Sequence, residues 1–139
     1  MNQELSIYTD GGSRGNPGKA ASAAVVYDSA GKVRFICGKY LGIATNNIAE
    51  YTAIEIALEK LEAELGEKAK STQLRFFTDS NLVASQLSGK FQIKNPEIAK
   101  KVIKIRNQEM NFQVVSYQHI PREKNFEADR EVNKILDQN

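Results

Sequence analysis

Four acidic residues of this chain occupy sequence positions where a solvated surface charge is unusual. Asp10 and Asp79 each follow a short hydrophobic run, and both runs end in Thr-Asp before a small or polar residue. Glu50 and Asp129 stand at helical spacing from apolar residues. Carboxylates brought together repel one another unless a cation neutralises them. The pattern therefore predicts one metal site that all four carboxylates share.

The available ligands restrict the kind of metal ion. The chain has one cysteine, Cys37, and one histidine, His119, so it offers no cysteine and histidine cluster for zinc. Oxygen ligands alone favour a hard ion, Mg²⁺ or Mn²⁺. Two such ions roughly 4 Å apart are a common device for in-line phosphodiester cleavage. The chemistry indicated is phosphoryl transfer to water, with two ions per site in the substrate complex.

The two helical acids have an alternative explanation. Glu50 lies four residues before Ile54, and Asp129 lies three residues before Val132, so each shares the apolar face of its predicted helix. Taken alone, each acid is better explained by a helix cap or a solvated charge than by a metal ligand. Four such positions in a chain of this size favour the shared site.

Three further features are candidates for contact with substrate. The glycine-rich segment 11–18 is predicted to be a hairpin loop, in which Gly11 and Gly12 would let the backbone approach a nucleic-acid strand and Asn16 would offer an amide. The segment 45–47, Thr45-Asn46-Asn47, is either a helix N-cap or a second contact, and the two roles are compatible. His119 opens a loop and could shuttle protons or help product leave, although a lone loop histidine is usually uninformative.

Hydrophobic periodicity predicts the elements that must position these residues. Three strands come first, then strand and helix units, which together predict an α/β fold with a five-stranded mixed sheet flanked by helices. The expected strands are 4–9, 20–28, 32–41, 73–78 and 111–118; the expected helices are 48–65, a short one ending at 87, one starting at 96, and a last one carrying Asp129.

Length and composition set limits on the whole chain. With 139 residues and 41% hydrophobic content, residues 1–139 are expected to form a single domain. The formal net charge of +2 permits a nucleic-acid partner without requiring one. We expect a cytoplasmic location without membrane association, because a single cysteine excludes an intrachain disulfide and no signal peptide or spanning segment is apparent. We also expect a monomer.

These motifs, taken in order, resemble type 1 ribonuclease H over essentially the whole chain. The resemblance rests on four segments, 9–12 (Thr-Asp-Gly-Gly), 45–50 (Thr-Asn-Asn-Ile-Ala-Glu), 78–80 (Thr-Asp-Ser), and His119 followed ten residues later by Asp129. Each segment is short, but the set in this order is specific. The resemblance implies strand order 3-2-1-4-5, with the first three strands antiparallel.

The resemblance also implies an activity and its residues. Members of the family hydrolyse the RNA strand of RNA/DNA hybrids independently of base sequence, leaving 5′-phosphate and 3′-hydroxyl ends. It implies that Asp10, Glu50, Asp79 and Asp129 bind the metals and that His119 assists turnover. It further implies that Gly12, Asn16, Asn46 and Asn47 contact the RNA strand, and Thr45 a DNA phosphate.

Departures from the family pattern leave alternatives open. The chain has no tryptophan, and the segment 89–96 is too short for the extra basic helix with which some members grip the DNA strand. The chain therefore resembles a short form that lacks this basic protrusion, and its affinity for hybrid should be salt-sensitive. A nuclease of the same fold that also cuts double-stranded RNA is one alternative. A catalytically silent nucleic-acid-binding module is another.

Overall fold

The computed structural model describes residues 2–90 and 92–139 of the chain. Its strands are β1 (Gln3–Gly15), β2 (Gly18–Tyr27), β3 (Val33–Ala44), β4 (Thr72–Thr78) and β5 (Val114–His119), and its helices are α1 (Asn46–Leu65), α2 (Asn81–Leu87), α3 (Pro96–Glu109) and α4 (Phe126–Asp137). The strands form one sheet in the order β3-β2-β1-β4-β5. The first three are antiparallel, and β1, β4 and β5 are parallel, so the predicted mixed sheet and its order are confirmed.

The first strand is longer than the sequence predicts. The glycine-rich segment expected to be a loop from residue 11 continues β1 to Gly15, and only the turn between Gly15 and Gly18 reverses the chain. Pairing with the small residues of β2 explains the difference, since Gly11 lies opposite Ser22 and Gly12 opposite Ala21. Asp10 therefore lies within a strand, and the prediction that it follows one is wrong.

The helix boundaries follow the capping signals of the sequence. The hydroxyls of Thr45 and Ser80 accept hydrogen bonds from the backbone at the starts of α1 and α2, and the Asn95 side chain does the same for α3. Gly66 ends α1 with a positive φ of 54°, which glycine adopts without strain. The strand predicted to start at 111 starts later, because a turn after α3 delays β5 to Val114.

The sheet is covered on both faces. Helices α1 and α3 pack over one face, where Leu5, Ile7 and Phe76 are fully buried among α1 side chains. Helix α4 packs over part of the other face, where Val132 and Leu136 contact the small residues of β2. None of the described helices is long and apolar enough to cross a membrane.

Candidate active site

The carboxyl end of β4 is where the sheet opens. Strand β1 pairs with β4 only as far as Thr9 opposite Thr78, whereas it stays paired with β2 to its end. Asp10 is the next residue of β1, and Asp79 is the next residue after β4. The two acids thus stand side by side where the neighbouring strands separate, which is the usual place for a site in an open α/β sheet.

A close contact between β1 and α1 brings Glu50 to the same place. Gly11 is buried, and a Cβ built on it would lie 2.2 Å from the carbonyl carbon of Ala49 and 2.4 Å from the Glu50 nitrogen. The buried Ser22 hydroxyl, on the paired strand, donates to the Ala49 carbonyl oxygen at 2.5 Å. Only glycine permits this approach, so Gly11 has a packing role that places the first turns of α1 against the strand that carries Asp10.

The fourth acid reaches the site from the opposite face. Asp129 lies in the first turn of α4, and its backbone nitrogen donates to the Asn125 carbonyl oxygen at 3.2 Å. The prediction that Asp129 shares a buried apolar face is wrong, because Asp129 is exposed and Phe126 is 60% exposed. The buried face of α4 consists of Ala128, Val132 and Leu136, and Asp129 lies outside that face.

All four predicted carboxylates line one cavity of about 340 Å³. Residues of β1 and two arginines also line this cavity. The lining residues are Asp10, Gly11, Gly12, Ser13, Arg14, Asn46, Glu50, Asp79, Arg122, Asp129, Val132, Asn133 and Leu136. The structure therefore brings together every acid that the sequence indicated, although they lie on β1, just after β4, on α1 and on α4.

The carboxylates oppose one another's ionisation. Burial is the main cause that raises the pKa of Asp10 to about 8, followed by the charges of Asp79, Asp129 and Glu50. Burial also raises the pKa of Glu50 to about 7; the Ser80 hydroxyl and the Arg122 charge act in the opposite direction, and the Asp79 charge adds to the rise. A bound cation would reverse these shifts.

One oxygen of the cluster has no partner in the protein. Glu50 Oε2 is buried without a hydrogen bond in the described part of the chain, which is a costly state for a carboxylate oxygen. Within residues 2–90 and 92–139, no three acidic, histidine or cysteine side chains already stand in an arrangement that would hold an ion. The donor set is all oxygen and suits a hard divalent cation, and the side chains would have to close around it.

The predicted substrate contacts form the wall of an adjoining cavity. Asn16, Thr45, Asn46 and Asn47 line a space of about 490 Å³, and Asn46 and Glu50 line both this space and the acidic cavity. Two of the asparagines also fix the local structure. Asn46 Oδ1 accepts from the Ser13 nitrogen at 2.8 Å, and Asn16 Oδ1 accepts from the Asn46 nitrogen at 3.0 Å. The two cavities form one polar groove.

His119 lies beside the acidic cavity and not in its wall. It is the last residue of β5, paired with Thr78, the residue before Asp79, and its side chain is exposed. It lines a separate space of about 210 Å³ together with Lys90 and residues of α2. The sequence prediction placed this imidazole at the rim of the acidic site, and the structure places it next to that rim.

Two groove residues escaped the sequence analysis. Arg122, in the 3₁₀ turn before α4, lines the acidic cavity and lowers the pKa of Glu50. Asn95 caps α3 and lines the adjoining cavity. The sequence marks Asn95 only as a cap, and it marks Arg122 only as one charge of a mixed Arg-Glu-Lys segment. Their proximity to the site depends on tertiary structure.

Comparison with known proteins shows what the chain is similar to. A family model described as reverse transcriptase-like matches residues 8–135. The ribonuclease HI of Halobacterium salinarum is 39% identical over 130 residues, which are 94% of this chain and 63% of that protein. A bifunctional protein of Mycobacterium tuberculosis is 35% identical over 132 residues, again 94% of this chain but only 35% of the relative.

A solved structure, LC11-RNase H1 in complex with an RNA/DNA hybrid, superposes with a TM-score of 0.91 at 38% identity. The match covers 96% of this chain and 97% of the solved one. The chain thus spans about a third of the mycobacterial relative and less than two thirds of the halobacterial one, yet it matches nearly the whole of this structure.

Proposed function

Because the chain belongs to the type 1 ribonuclease H family, we propose that it is an endoribonuclease that hydrolyses the RNA strand of RNA/DNA hybrids. The proposal includes cleavage that is independent of base sequence, dependence on Mg²⁺ or Mn²⁺, and 5′-phosphate and 3′-hydroxyl products. The observation that carries it is the convergence of four carboxylates from separate elements on one cavity of the polar groove.

The acidic cavity fits divalent cations on two grounds. The buried Glu50 Oε2 has no partner in the described residues, and burial, followed by repulsion from the other carboxylates, raises the pKa of Asp10. Asp10, Glu50, Asp79 and Asp129 would hold the ions. Two bound ions supply activation of the attacking water and stabilisation of the leaving oxygen. The protein's own contribution is to hold the four carboxylates close together and oriented, with Asp10 next to the other three.

The groove supplies the contacts for substrate. Asn47 and Asn16 are exposed, and the amide hydrogens of such side chains can donate to the 2′-hydroxyls that distinguish RNA from DNA. Thr45, half-buried at the start of α1, would contact a DNA phosphate while capping the helix. Contacts of this kind read the sugar and the shape of the groove, which explains how base sequence is ignored.

The His119 imidazole would exchange a proton with the departing product. Its exposure and its position beside Asp79 suit a group that acts at the rim and does not hold an ion. Between α2 and α3, the described residues 88–90 and 92–95 form no helix, so the extra basic helix expected to be missing is not found there. A cytoplasmic location and a monomeric state remain predictions.

The decisive test is cleavage of end-labelled RNA/DNA, RNA/RNA and DNA/DNA duplexes with Mg²⁺, Mn²⁺ or EDTA, beside the Asp10→Asn protein. We expect metal-dependent loss of the RNA strand from the hybrid, and none with Asp10→Asn, which should still bind hybrid. Cleavage in the RNA/RNA lane would extend the substrate class. No cleavage in any lane by folded protein that binds hybrid would instead support a silent binding module.

A further inference from the structure

Asn125 is a buried polar residue that contacts Asp79 and the backbone beside Asp10 without lining the acidic cavity. Its side chain is 1% exposed, and it immediately precedes α4. Although it holds the N-cap position, its side chain makes no capping hydrogen bond. An asparagine at the N-cap usually accepts a hydrogen bond from the first turn of its own helix. Here the side chain instead makes its contacts outside α4.

Those contacts link the backbone beside Asp10 to the side chain of Asp79. Asn125 Nδ2 donates to the Thr9 carbonyl oxygen at 2.9 Å and lies 3.4 Å from Asp79 Oδ2, to which it also donates. Thr9 is the residue before Asp10. The backbone carbonyl oxygen of Asn125 accepts a hydrogen bond from the backbone nitrogen of Asp129 at 3.2 Å. One residue is thus bonded to Asp79, to the backbone beside Asp10, and to the first turn that presents Asp129.

Both partners of the Asn125 amide are acceptors and require a donor. A backbone carbonyl and an ionised carboxylate both only accept hydrogen bonds, so the amide must turn its NH₂ group towards them. The opposite face of the amide, Oδ1, is then left buried without a partner in the described residues. A buried acceptor without a hydrogen bond destabilises the fold. The amide therefore makes its two NH₂ contacts at the expense of its own acceptor.

We propose that Asn125 is a positioning residue: its buried amide bridges the Thr9 carbonyl and the Asp79 carboxylate, and so fixes where Asp10 and Asp79 stand relative to each other. This inference rests on the proposed function, since it acts through Asp79. Residues that orient metal-binding carboxylates from behind typically contribute about 10–100-fold in metal affinity or activity.

The test compares Asn125→Ala and Asn125→Asp with Thr72→Val as a matched control. Thr72 is fully buried at the other end of β4, where its hydroxyl donates to the Lys68 carbonyl oxygen at 2.7 Å. Asn125→Ala and Thr72→Val each remove a buried donor to a carbonyl, so both should lower the melting temperature. Of these two variants, only Asn125→Ala should reduce kcat, by about 10–100-fold, while its KM stays within about twofold of wild type. It should also weaken Mn²⁺ binding, measured by calorimetry, by a similar factor.

Asn125→Asp keeps the shape but replaces the donor with a fifth carboxylate, so its kcat should fall at least as far as that of Asn125→Ala. Wild-type kcat in either variant, or an equal loss in Thr72→Val, would overturn the inference. Should Asn125→Ala fail to fold, Asn125→Ser, which keeps one hydroxyl donor, takes its place. If the wild-type protein does not cut hybrid, the proposed function fails, and unchanged Mn²⁺ affinity in the variants would then independently refute the positioning role.

Discussion

Replacing Gly11 with alanine should separate the two elements that bring Asp10 and Glu50 together. The added Cβ would lie 2.2 Å and 2.4 Å from the carbonyl carbon and oxygen of Ala49, and 2.4 Å from the Glu50 nitrogen. Ordinary carbon contacts are about 3.5–4.0 Å, so α1 would have to move by roughly 1 Å or more. All three atoms are backbone, and no rotamer change can relieve the clash.

The expected loss of stability follows from this geometry. Overpacking a core costs about 1–3 kcal/mol and sometimes more, and a clash between two backbones belongs at the upper end. For a chain of this size, about 3 kcal/mol lowers the melting temperature by roughly 10 °C. A displacement of about 1 Å at a catalytic carboxylate can cost about 10²-fold in rate. Gly11→Ala should therefore lose both stability and activity.

The matched control for stability is the neighbouring Gly12→Ala. Its Cβ would meet Val132 Cγ1 at 3.7 Å, an ordinary contact, and neither glycine has a positive φ that alanine would resist. We expect its free energy of unfolding to change by about 0.5 kcal/mol or less. Thermal unfolding in EDTA, followed by circular dichroism, measures both variants. Equal melting temperatures for Gly11→Ala and Gly12→Ala would refute the proposed close approach of β1 and α1.

Three further predictions concern charge and protons. Because the pKa values of Asp10 and Glu50 are raised to about 8 and about 7 in the fold from 3.8 and 4.5, the metal-free folded protein binds more protons than the unfolded chain, and its stability should fall between about pH 4 and pH 8. Melting curves in EDTA should show this slope, and Asp10→Asn should flatten it; a slope that Asp10→Asn leaves unchanged would assign it to other groups. Arg122→Ala removes a charge that lowers the pKa of Glu50, so its cleavage rate relative to wild type should be lower at pH 7 than at pH 9, and a constant ratio would contradict this role. His119→Ala should slow turnover by about 10²-fold or less, and complete loss of activity would show that the imidazole does more than move a proton.

The sequence predicted the architecture well because its signals are local. Helical periodicity and the Thr45 cap located α1, and Gly66 marked its end. The glycine-rich segment 11–18 was misassigned because glycine is typical of loops, whereas pairing with β2 holds it as a strand as far as Gly15. Local propensity is overridden where a neighbouring strand satisfies the backbone hydrogen bonds.

The sequence alone determined which residue types could perform the chemistry. The four acids and their place in the order of elements indicate a hard-metal site. Tertiary structure decided what depends on distance between residues far apart in the chain: Gly11 against Ala49, Arg122 beside Glu50, and Asn125 between Thr9 and Asp79. Such contacts leave no periodic signal in the sequence, because they follow from how strands and helices pack and not from the spacing of residues along one of them.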